Sequence, residues 1–179
     1  MYKKLRDKFF SKLRKNYKQI FSWLTVFLWM ILIFLLSNMS SYESNLKSEN
    51  MINKTIEVTL NKTNDLGLTN KHPSNKKIKL IVEELNFPLR KIMHFSVYFV
   101  LALLLLMALK KSSFKKIKVY LLTLLICLLY ALLDEYHQTF ISGRTGNLYD
   151  CLIDIFGSGI GLVFSIIYSK IKNKNKMKE

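Results

Sequence analysis

Asp134 and Glu135 stand side by side, Gln138 follows one helical turn later, and Asp150 and Asp154 recur four residues apart a short distance on. His94 lies in an earlier segment with Arg90, Lys91 and Tyr98 at helical spacing around it, and Arg144 falls between the two acidic stretches. Adjacent carboxylates repel each other's charge, so such a pair readily holds or moves a proton, the basis of general acid/base work. Arginine and lysine beside them suit recognition of an anion. Imidazole and carboxylate are also ligand types for several divalent ions, and His94, His137, Asp134, Glu135 and Asp150 supply them. No dense ligand motif such as His-Glu-x-x-His accompanies these residues, so neither a metal nor a cofactor is expected. No nucleophile is identified, because Ser142 and Ser158 flank the region without a nucleophile-elbow pattern.

These polar groups are embedded in apolar surroundings. Half of the 179 residues are hydrophobic, and they are gathered into four blocks with the length of membrane-spanning helices. The reading is an all-α, four-transmembrane-helix bundle with helices at about 20–36, 92–109, 119–136 and 148–168. A basic segment, 1–19, precedes the membrane domain of 20–168, and a basic tail, 169–179, follows it. The first segment has an apolar side formed by Phe9, Phe10, Leu13 and Tyr17, suited to lying on headgroups. The first apolar block, with Trp23 and Trp29, is too long for a signal-peptide core and is read as a retained helix. Between the first two blocks, residues 37–91 form a polar loop. Ile52, Ile56 and Leu60 predict one short amphipathic helix there, and Ile78, Ile81, Val82 and Leu85 a second, N-capped by Ser74. Pro73 and Pro88 punctuate this stretch, and His72 reads as a solvated side chain.

The net charge of +16 comes from short basic runs set against apolar blocks, without any nucleic-acid-binding signature, and so speaks to topology instead. Four crossings place the N-terminus, the 110–118 connection and the C-terminus on one side, and that side carries 18 of the 28 lysines and arginines. Basic residues in short loops are retained in the cytoplasm. Both termini are therefore expected to be cytoplasmic, with the 37–91 and 137–147 connections outside. Cys127 and Cys151 fall at different depths in this arrangement, which opposes a disulfide and leaves them as small apolar fillers.

A helix rises about 1.5 Å per residue, which places Asp134, the first turns of the fourth helix and His94 at similar depth near the outer ends of three helices. Asp134, Glu135 and Gln138 share one wedge of the third helix. Asp150, Asp154, Gly157 and Gly161 form one stripe on the fourth, with glycines where a neighbouring helix can come close. A charge costs about 2.5–3.5 kcal/mol at the centre of an isolated spanning helix, less near its end, so these groups must be paired, hydrated or neutral. Two readings stand: a hydrogen-bonded cluster that ties helices together, or a site that engages something at the outer leaflet.

The ordered set Arg90-Lys91-x-x-His94-Phe95-x-x-Tyr98, Asp134-Glu135-x-His137-Gln138-x-Phe140-x-x-Gly143-Arg144 and Asp150-x-x-x-Asp154-x-x-Gly157-x-x-x-Gly161 resembles the VanZ-like family of bacterial membrane proteins. The segment from Phe34 to Ser37, with Ser44 and Ser48 beyond, is similar to the serine-rich exit from the first helix in that family. Asp154 stands where relatives often have asparagine. The resemblance implies a multi-pass protein of a bacterial cytoplasmic membrane and, through the member that gave the family its name, a link to the glycopeptide teicoplanin. With it, the residues suggest a polar pocket that engages a lipid headgroup or a lipid-linked cell-envelope precursor. One alternative is an ion- or proton-coupled transporter in which Asp134, Glu135 and Asp154 titrate, with a homo-oligomer supplying symmetry. Another is a non-catalytic adaptor that binds through the outer loop.

Overall fold

The computed structural model describes residues 2–39, 41–65, 75–111 and 114–176. It is all-helical in these residues, with α1 (Tyr2–Ser37), α2 (Ser41–Asp65), α3 (Asn75–Leu109), α4 (Lys116–Gln138) and α5 (Leu148–Lys176). Four stretches are long and apolar enough to cross a membrane: Asn16–Ser37, Leu80–Leu109, Lys116–Gln138 and Leu148–Asn175.

The element boundaries differ from the expectation in instructive ways. The basic N-terminal segment is continuous with the first apolar block as α1, and the basic tail extends α5 beyond residue 168. Among its described residues the polar connection holds one helix of its own, α2, with Ile52 buried and Ile56 and Leu60 half-buried. The 78–85 stretch is not a separate short helix; it is the leading part of α3, and Pro88 lies inside that helix. A proline removes only one backbone N–H from the ladder. The less exposed positions before it, Val82, Asn86 and Leu89, and after it, His94, Tyr98 and Leu101, each recur every three or four residues, but the step of five from Leu89 to His94 turns the buried face partway round the helix. The expected Ser74 cap, Pro73 and His72 lie outside the described residues.

Helix α3 is the hub, packing against all four others, most extensively against α5. The core between them is built from Tyr98, Leu101, Ala102, Leu105, Cys127, Ala131 and Cys151. Both cysteines are buried and free. Large side chains such as Phe27, Leu125, Leu129, Val163 and Phe164 point outward instead. Bulky apolar side chains facing outward are expected where the surroundings are lipid.

The α3–α5 crossing depends on glycine. A Cβ at Gly157 would lie 2.3 Å from the Phe95 carbonyl oxygen, and one at Gly161 would lie 2.8 Å from that of Phe99. Both pairs are four residues apart, so two turns of α5 slide along two turns of α3. Ser158 adds a hydroxyl that donates to the carbonyls of Asp154 (3.0 Å) and, weakly, Tyr98 (3.4 Å). Near the middle of its apolar run, helix α1 is held by long-range bonds to backbone carbonyls: Trp29 Nε1 donates to Val97 (2.9 Å), and Tyr130 Oη donates to Met30 (2.6 Å). At the lysine-rich end, Lys111 Nζ reaches the Lys18 carbonyl and the Ser22 hydroxyl, and Lys110 Nζ donates to Ser165 Oγ.

Gly159 faces open space, which makes it an internal control. Gly157→Ala is expected to lower stability by about 1–3 kcal/mol through overpacking, whereas Gly159→Ala should be neutral or stabilising by up to about 1 kcal/mol through helix propensity. Thermal unfolding of the two variants in detergent measures the difference.

Candidate functional site

The site lies at the end of the bundle where α1 and α4 finish, α5 begins and α3 passes through. Helix α4 unwinds there through tight turns, with Phe140 N–H donating to His137 O (3.0 Å) and Ile141 N–H to Gln138 O (3.1 Å). Gly143 then reverses the chain with φ of 73°, a backbone region that glycine enters without penalty. Asn147 opens α5 as a cap: its Oδ1 accepts from the Tyr149 N–H at 3.0 Å, satisfying one of the donors a helix start leaves over. Asp150 in the first turn of α5 also suits the positive end of the helix dipole.

Glu135 holds this connection in place. Its Oε2 accepts the Asn147 backbone N–H at 2.7 Å, while Gln138 Nε2 donates to Asp134 Oδ2 at 3.1 Å and lies 3.4 Å from Glu135 Oε1. The fit is tight, since a Cβ at Gly146 would lie 2.6 Å from the Glu135 carbonyl oxygen. Across the bundle, Lys91 Nζ is paired with Asp150 Oδ1, tying α3 to the start of α5.

Above this layer is an open cavity of about 110 Å³, room for a few waters or one compact anionic group. Its polar lining comprises Ser37, Arg90, His94, Tyr98, Asp134 and Arg144, and its apolar wall is made by Ile33, Leu36, Met39, Met93 and Val97. Three buried polar atoms in this lining make no hydrogen bond: Ser37 Oγ, Tyr98 Oη and Arg144 Nε. Burial, and then the neighbouring charge of Arg90, pull Arg144 below its ordinary value, with Asp134, Glu135 and Asp150 acting the other way. A guanidinium starts so high that it stays charged.

Of the residues singled out from sequence, Arg90, His94, Tyr98, Asp134 and Arg144 line the cavity. Lys91, Glu135, Gln138, Asp150 and Asp154 form the layer that supports it. His137 turns away from the group and stacks on Phe34 of α1, with ring centroids 4.7 Å apart. His94 Nδ1 lies 3.4 Å from Asp154 Oδ1, and Asp154, at 0% exposed, has no hydrogen bond to either carboxylate oxygen. The contribution of α1, through Ile33, Leu36 and Ser37, was not anticipated among the site residues. Nothing in an uncharged apolar run separates a lipid-facing position from a cavity-facing one.

Because Glu135 orders the 139–147 connection, Glu135→Ala should cost about 1.5–3 kcal/mol of local stability. Hydrogen exchange at the Asn147 amide should accelerate correspondingly in the reconstituted protein, and much less in Glu135→Gln, which keeps an acceptor oxygen.

The chain has no significant match among curated proteins or solved structures. A family model described as VanZ/LLP1 matches residues 21–169, a span that takes in most or all of each of the four apolar helices and every residue around the cavity. This protein is therefore a multi-pass membrane member of the VanZ/LLP1 family.

Proposed function

We propose that the cavity faces the outer surface of a bacterial cytoplasmic membrane and engages the anionic headgroup of a membrane lipid or lipid-linked envelope precursor. The observation that carries this reading is that three residues holding unpartnered buried polar atoms, Tyr98 (Oη), Ser37 (Oγ) and Arg144 (Nε), line one small cavity. Buried polar groups normally find partners, and three left unpartnered beside a common space are suited to a ligand rich in acceptors. Arg144 and Arg90 supply positive charge, and an arginine fork matches phosphate or carboxylate oxygens.

The apolar wall of Ile33, Leu36, Met93 and Val97 fits the other half of an amphiphile. The cavity is far smaller than a whole lipid, so only the headgroup would enter while the chains stay along the bundle. Asp134, anchored by Gln138, would orient the arginines. The distribution of lysines and arginines favours cytoplasmic termini and hence an outward-facing site. Sequestering or presenting an envelope precursor headgroup at that surface would alter what a glycopeptide meets, which is how such a pocket would affect susceptibility.

The test uses purified full-length protein in detergent, offered phosphatidylglycerol or phosphatidylcholine and read by native mass spectrometry. The intact protein should retain the anionic lipid preferentially. Arg144→Ala should weaken that retention roughly 10- to 100-fold, the loss of one or two charge-assisted hydrogen bonds. Equal retention of both lipids, or no change in a folded Arg144→Ala variant, would contradict the proposal.

A further inference from the structure

Beneath the cavity, three helices each contribute one potential ligand to a single point. His94 of α3, Glu135 of α4 and Asp154 of α5 offer atoms that all lie within 4.8 Å of one another. We propose that these residues form a binding site for a divalent transition-metal cation, with zinc the best match and manganese an alternative occupant of the same ligands.

The argument rests first on Asp154. Its side chain is fully enclosed, yet neither carboxylate oxygen accepts a hydrogen bond. A buried carboxylate in apolar surroundings carries a large desolvation cost unless a charge or several donors face it. The Ser158 hydroxyl, four residues on in α5, donates to the backbone carbonyls of Asp154 and Tyr98 instead. Asp150 is paired with Lys91, so that lysine is already engaged by another carboxylate. What faces Asp154 is His94, at 3.4 Å between Nδ1 and Oδ1. That separation is longer than an ordinary N–H to oxygen bond. It matches the edge of a tetrahedron of ligands about 2.1 Å from a central metal, which is roughly 3.4 Å.

The rest of the set fits the same reading. Two carboxylates with a neutral imidazole balance a doubly charged cation. The imidazole favours zinc or iron over calcium and magnesium, which prefer oxygen, while the two carboxylates also suit manganese. Glu135 is oriented from outside the point of convergence by the Asn147 N–H and Gln138, the kind of support that metal-ligating carboxylates generally receive. Three protein ligands leave at least one position open. Because His94 also lines the cavity, an open position there would be reachable from it. The relevant helices are brought together by the Gly157 crossing, three residues from Asp154. The competing arrangement is a simple His94–Asp154 ion pair with no metal.

The cation site does not depend on the headgroup reading, and one experiment on the purified full-length protein distinguishes them. The protein is stripped with a chelator, loaded with zinc, desalted and analysed for metal by elemental mass spectrometry. A parallel sample is loaded with cobalt(II) and its visible absorption recorded. About one zinc per chain should survive desalting, as for a three-ligand site, and cobalt should give intensified bands of a low-coordinate nitrogen and oxygen environment. Asp154→Asn and Glu135→Gln, which preserve shape, should each lower retained zinc at least tenfold. An unloaded wild type with a cobalt spectrum like the aqueous ion would overturn the site, as would full retention by both folded variants. Should either variant fail to fold, the wild-type stoichiometry and cobalt spectrum decide the question by themselves. Selective lipid retention without metal would reject the cation site alone; metal without lipid selectivity would reject the headgroup reading alone.

Discussion

The close approach of α3 and α5 is the constraint on which the other features depend. Gly157 and Gly161 leave no room for even a methyl group against the carbonyls of Phe95 and Phe99. In a lipid environment apolar burial gives little reason for two helices to prefer each other over lipid, so association relies on packing and on polar bonds between helices. The glycine stripe supplies the packing. It also sets how far His94 stands from Asp154, since both lie within one turn of the Gly157 contact.

From that crossing the polar layer follows. Once α3 and α5 are in register, Lys91 meets Asp150 and His94 meets Asp154, while α4 brings Glu135 to the same level from the other side. The short 139–147 connection then closes over them, held by Glu135 through the Asn147 amide. Each acidic group that would be costly alone in lipid is drawn into one group at a helix end. Of the unpartnered buried atoms, those of Ser37, Tyr98 and Arg144 belong to residues lining the cavity and those of Asp154 lie beside His94. The two proposals address these two sets; Asn86 Oδ1 and His137 Nε2 belong to neither.

Much of this was legible in the amino-acid sequence because membrane helices announce themselves by continuous apolar length. The 3.6-residue period also places Asp150, Asp154, Gly157 and Gly161 on one stripe without any structure. The VanZ-like pattern of residues agrees with the family match over residues 21–169. Helix ends were less legible, because basic residues at either end can continue a helix into the headgroup region as readily as stop it. Pro88 suggested a boundary, yet α3 runs through it as one helix. The position of His137 was hidden for another reason: it is one residue from Gln138, and one residue turns a helical side chain by about 100 degrees, here toward Phe34. The cavity wall from α1 and the meeting of Glu135 with His94 and Asp154 depend on how separate helices dock, which spacing along the chain does not encode.

The central claim is that helix docking places the His94 imidazole against the Asp154 carboxylate at the head of the bundle. Solid-state NMR on the full-length protein in bilayers, with ¹⁵N-histidine and ¹³C-aspartate labels, tests it most directly. A dipolar coupling between His94 Nδ1 and the Asp154 side-chain carboxyl carbon is expected, and it should vanish in Gly157→Leu. Absence of that coupling in the wild-type protein would contradict the account.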